Sequence, residues 1–131
     1  MADVLQLVKE RLSKDGQVLN LRAQYIREVG ARTLAECESL VNLQALDLSQ
    51  NDIGDDGVKA ISESAIFSNL RTLNLKSNRI GDAGAAHLAA SKTLKSLKSL
   101  QLVVNDISEE GEKLLRNSMN LINLTSLKFR V

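Results

Sequence analysis

His87 is the only histidine in the chain and Cys37 the only cysteine, so the residue types best suited to proton transfer and nucleophilic attack occur once each. An imidazole needs an orienting partner, and a thiol needs a neighbouring base before it becomes a thiolate. His87 has no cysteine or carboxylate at metal-ligand spacing, and no base recurs near Cys37. Asp55, Asp56 and Asp82 raise calcium binding, but they stand where helices are expected to begin. The segments GDDG (54–57) and GDAG (81–84) are glycine-rich, yet they carry carboxylates where a phosphate loop needs amides and lysine. The reading is therefore of no enzyme, with no catalytic residue, no metal site and no cofactor.

What positions these residues is a repeat. Residues 43–123 divide without a gap into rows at 43–69, 70–96 and 97–123, each of 27 residues. Leucines align at 43, 70 and 97, at 46, 73 and 100, and at 48, 75 and 102; asparagine follows at 51, 78 and 105, isoleucine at 53, 80 and 107, and glycine at 57, 84 and 111. Two more apolar columns hold Ile61, Leu88, Leu115 and then Phe67, Leu94, Leu121. A degraded row at 16–42 keeps Leu19, Leu21, Ile26, Gly30 and Leu34 in register, with Gly16 in the first leucine column and Gln24 in the asparagine column. A partial row, 124–131, contributes Leu124, Leu127 and Phe129. Residues 2–14 form an amphipathic pattern, with Val4, Val8 and Leu12 in one row and Leu5 beside it; a capping helix is expected within residues 1–15.

In each row LxxLxL predicts a short strand, leucines inward and the intervening residues outward. Strands are expected near 18–21, 45–48, 72–75, 99–102 and 126–129, with helices starting near 28, 55, 82 and 109. Gly54, Gly81 and Ser108 precede Asp55, Asp82 and Glu109, which suits the open amides of each helix start. The recurrent glycine one turn later implies close helix-to-strand approach.

The columns resemble the leucine-rich repeat, in its ribonuclease-inhibitor-like variety with a helix in every row. That resemblance implies an α/β fold: a right-handed solenoid with parallel strands on the concave face, helices on the convex face and an asparagine ladder between turns. It also implies protein recognition rather than catalysis. The chain lacks ribonuclease inhibitor's abundant cysteines and alternating repeat lengths.

The outward strand positions carry the functional expectation. Arg22, Arg71, Lys76, Lys98, Lys128 and Arg130 face one acid, Asp47, although the whole chain holds 17 basic and 16 acidic residues. So sorted a charge favours a protein partner with an acidic surface, opposite in sign to a basic target. The expected contacts are Arg71, Lys76, Lys98, Gln101 and Lys128 around an apolar centre of Val103 and Val104. A different function class, regulation of a partner enzyme in the manner of the GTPase-activating members of the repeat family, would draw on Arg79, the basic residue on the turns after the strands. Three aromatics, two of them in core columns, provide no stacking platform for nucleic acid. No apolar run reaches the 18 residues of a membrane span, and no signal-like apolar core opens the chain. A lone cysteine fits a reducing, cytoplasmic setting. Weak self-association through the final strand is expected, because Phe129 stands on an uncovered edge.

Overall fold

A computed structural model of the protein describes residues 3–131. It opens with α1 (Val4–Arg11), shorter than the amphipathic pattern suggests; residue 2 of that pattern lies outside the described residues. Asp3 caps α1, its carboxylate accepting the Gln6 amide at 3.2 Å, and the helix ends at Leu12 in extended backbone. Val4 and Val8 are buried against the first row, whereas Leu5, one residue off that line, is exposed.

Strand and helix then alternate: β1 (Val18–Asn20), α2 (Arg27–Ala35), β2 (Ala45–Asp47), α3 (Gly54–Glu63), β3 (Thr72–Asn74), α4 (Asp82–Ala89), β4 (Ser99–Gln101), α5 (Glu109–Arg116) and β5 (Ser126–Lys128). Short 3₁₀ turns at Glu38–Leu40 and Ala65–Phe67 return the first two rows to the sheet. The five strands are parallel, in sequential order, and each pairs with the next in a register of 27 residues: Leu19, Leu46, Leu73, Leu100 and Leu127 stand side by side. A constant row length is what lets every leucine column become a stack, since slipping the register by one residue would turn the leucines outward. The inner leucine columns of the middle rows are fully buried, joined by Ile53, Ile61, Phe67, Ile80 and Leu88 from the turns and helices. The sheet lines the concave side of a right-handed solenoid and the helices line the convex side.

The first row departs from the pattern for a visible reason. Gly16 bends the chain with φ +73°, and Ser13 closes the outer edge of β1: its amide donates to the Val18 carbonyl at 3.0 Å while its hydroxyl oxygen accepts the Gln17 and Val18 amides. A loop thus occupies the place of a preceding strand.

Rows are also tied at their turns. Asn51, Asn78 and Asn105 sit where the chain bends inward after each strand. The Asn78 Oδ1 accepts the amides of Asn51 and Ile53 at 3.0 and 3.2 Å, and its Nδ2 donates to the Leu48 and Lys76 carbonyls. Asn51 serves Gln24 and Ile26 in the same way, and Asn105 serves Asn78 and Ile80. Gln24 has no earlier row to serve, and its side chain folds back onto the Arg22 carbonyl.

Candidate functional site

The strand side chains that alternate with the buried leucines, with the residues that enter and leave each strand, form the candidate face. Arg71, Lys98 and Lys128 are exposed on it and Lys76 is half-buried. Arg71 and Lys98 hold the same column, each immediately before its strand (β3 and β4), the Lys98 amide donating to the Arg71 carbonyl at 2.8 Å. Like charges on adjacent strands repel, and neither has an ion-pair partner among the described residues.

Other expected members of the face do something else. Val103 is only 5% exposed: its column lies at the bend leaving the strand, where Ser49 is buried too, so Val103 cannot anchor a partner. Val104 is 63% exposed, so the expected pair leaves one apolar side chain at the surface. Arg130 turns off the sheet towards α5, its guanidinium meeting Glu112 at 3.1–3.2 Å. Arg116 pairs with the same carboxylate and lies over the Phe129 ring, 5.3 Å from its centre. Phe129 is consequently half-buried under a cation, not the bare edge that the self-association expectation assumed.

Gln101 belongs to a column with a structural task. The side-chain oxygens of Asn20, Asp47, Asn74 and Gln101 each accept the amide two residues on, at 2.9–3.0 Å, fixing the bend after the strand. The Asp47 carboxylate also accepts the Ser49 hydroxyl at 2.6 Å, so the one acid of the face is bound into its own turn. Lys128 breaks this column, having no acceptor to offer.

Two of the acidic residues at the helix starts, Asp55 and Asp82, act across rows rather than within them. Asp55 Oδ1 accepts the amides of Gly81 and Gly84 at 2.7 and 3.1 Å, capping α4 of the following row; Asp82 does the same for Ser108 at the start of α5. The Ser108 hydroxyl and amide hold the Asp82 carboxyl below its ordinary range. The glycine column is explained here as well. A Cβ on Gly84 would stand 2.6 Å from Asp55 Oδ1 and 2.6 Å from Ile80 Cγ2, so the close approach is to the row's own isoleucine and the neighbouring row's cap, not to the strand. At the opposite helix ends, the hydroxyls of Ser64, Ser91 and Ser118 donate to the Ala35, Ser62 and Ala89 carbonyls of the preceding row. Small size alone does not account for that column. Cys37 is its first member, half-buried and unpaired.

His87 is half-buried in a shallow depression beside Glu63 and Lys92, on the helical side. Among the described residues no three His, Cys, Asp or Glu side chains gather to hold a metal, and no helix is long and apolar enough to cross a membrane. Arg79 projects from the turn after β3, its Nε 3.4 Å from Asp52.

A parallel sheet of short strands, one asparagine ladder and one helix per row define a leucine-rich-repeat solenoid. The sequence model described as Leucine Rich repeat matches residues 39–62 and 68–89. A tropomodulin C-terminal domain from Caenorhabditis elegans superposes with a TM-score of 0.72 at 18% identity, covering 99% of this chain and 84% of that one. An internalin (inlF) from Listeria monocytogenes covers 87% of this chain and 48% of its own at 17% identity, and its TM-score of 0.31 is too low to inform the fold. No curated protein matches the sequence at a significant level.

Proposed function

We propose that the chain is a non-catalytic protein-recognition module whose concave sheet binds a partner with an acidic surface. The observation that carries this reading is the uncompensated pair of Arg71 and Lys98 in one column, with Lys128 exposed on β5 beside Gln101 and the Asp47 carboxylate turned into its own bend. An exposed sheet needs some charge to stay soluble, but a single sign on adjacent strands costs repulsion that alternating signs would avoid. The contacts are Arg71, Lys76, Lys98 and Lys128, with Val104 as the exposed apolar residue at the strand exits. A rigid ladder keeps those side chains in place before binding, which reduces the ordering cost. One helix in each of four 27-residue rows supports the ribonuclease-inhibitor-like variety of repeat. The lone half-buried cysteine fits a reducing, cytoplasmic setting. The GTPase-activating alternative gains nothing from Arg79, whose guanidinium is directed to Asp52.

The test is charge reversal. Replacing Arg71, Lys98 and Lys128 by glutamate should abolish capture of an acidic partner from host extract while leaving the circular dichroism spectrum unchanged. Capture by the wild type should also weaken steeply with salt. Capture that survives the triple change would place the contact elsewhere.

A further inference from the structure

A second surface lies where α1 meets the turn from β1 into α2. A cleft of about 390 Å³ is lined there by Leu5, Tyr25 and Val29, with Val4 and Ile26 at its floor. Leu5 is 52% exposed, Tyr25 72% and Val29 64%. Scattered exposed apolar residues are ordinary, whereas three around one cleft form a patch. Past Tyr25 and Arg27, which line both, the cleft continues into a polar depression of about 300 Å³ reaching Asp52 and Arg79.

Among the described residues, the charges around this surface are committed, with one exception. Asp3 caps α1, and Asp52 faces Arg79. Arg27 is exposed at the junction of the two depressions and has no ion-pair partner among the described residues. Its backbone provides an internal control. Arg27 adopts φ +59°, and the same position in the next row is Gly54 at φ +70°. Glycine makes this bend without steric cost, so the first row retains a guanidinium against the local preference of the chain. Among the described residues the first turns of α2 and α3 receive no carboxylate from a preceding row, unlike those of α4 and α5, which Asp55 and Asp82 reach.

We propose that this cleft docks a partner segment bearing a large apolar side chain beside an aspartate or glutamate. The apolar side chain covers Leu5, Tyr25 and Val29, and the carboxylate meets the Arg27 guanidinium, where a charge-assisted hydrogen bond fixes its register. The site is separate from the sheet and does not depend on the concave reading.

The experiment titrates the full chain, isotope-labelled for NMR, with N-acetylated and C-amidated eight-residue peptides. Each probe contains one Phe or Leu followed within three residues by Asp; control peptides carry Lys for Asp, or Ala for the apolar residue. Shifts are expected at Leu5, Val29 and the Arg27 Nε, absent with both controls. Arg27→Gly should weaken the probe's binding at least fivefold while melting at the wild-type temperature or above. Val29→Ser should weaken binding without removing the preference for Asp over Lys. The proposal is overturned by no shift at millimolar peptide, by equal binding of the Lys control, by shifts centred on Arg71 and Lys98, or by an Arg27→Gly variant that binds like wild type or melts lower.

Discussion

Asn78 shows how one side chain can join two rows: its oxygen accepts two amides of the row before it, and its NH₂ reaches two carbonyls. Fully buried, these groups have no water to replace the amide. Asn78→Ala should therefore lower unfolding free energy by about 3 kcal/mol, since each stranded buried group costs roughly 1–3; a loss below 0.5 kcal/mol in urea titration would refute the ladder's role. The asparagine column was legible in the sequence because its residue type is constant in the three complete rows, at 51, 78 and 105. The column of Asn20, Asp47, Asn74 and Gln101 was not, because its type varies while its task, accepting the amide two residues on, stays constant. Val104 is the converse case. It holds φ +59°, where Ala23, Gln50 and Ser77 in the same column are not β-branched. A β-branched residue is strained there, so Val104→Gly should raise stability by about 1 kcal/mol, measured by thermal unfolding. If Val104 also contacts a partner, the same change weakens binding, separating strain from folding.

Strands and helices were legible as elements because the leucine and isoleucine columns set both periods; the ties between elements were not. Asp55 and Asp82 fit the rule of a carboxylate at a helix start, and the rule holds, but for the helix of the next row. Glu28, in the same column, pairs instead with Arg32 of its own helix at 3.5 Å. Sequence patterns within one row cannot distinguish these outcomes, since the distance between rows is a tertiary quantity. The signal that existed was a pairing across rows: Asp55 with Gly84, Asp82 with Gly111. Gly84→Ala should destabilise by about 1–3 kcal/mol through overpacking despite alanine's better helix propensity. Adding Asp55→Ala should recover part of that loss, a coupling that a double-mutant cycle reads directly. The Asp82 tie gives a pH signature. Its carboxyl is held below the ordinary carboxylate pKa, so the folded state binds that proton less readily than the unfolded one. The stabilisation is present above the unfolded value and is lost as pH falls through the folded one. The advantage of wild type over Asp82→Ala in urea should thus be constant near neutrality and shrink below about pH 4; an advantage independent of pH would contradict the assignment.

Across the whole molecule, the 27-residue period alone implies the solenoid, its parallel sheet and its two faces, because identical rows can share a core only by stacking in register. What the period does not report is how each end departs from it. Arg130 continues a sheet column by position, yet Glu112 draws it to the helical side. Val103 likewise continues an outward column but is buried at the bend. The basic face that remains holds Arg71 and Lys98 at the entries of β3 and β4, Lys76 at a strand exit and Lys128 on β5. The central claim is that a partner binds this face, and the lysines supply its most direct test. Lys76, Lys98 and Lys128 lie on it, whereas Lys9, Lys14, Lys59, Lys92, Lys95 and Lys113 do not. With lysines reductively methylated by ¹³C-formaldehyde, the methyl resonances of the first three should shift or broaden on adding the captured partner, while the other six stay unchanged. Perturbation confined to Lys59, Lys92 and Lys113, on the helical side, would contradict the account.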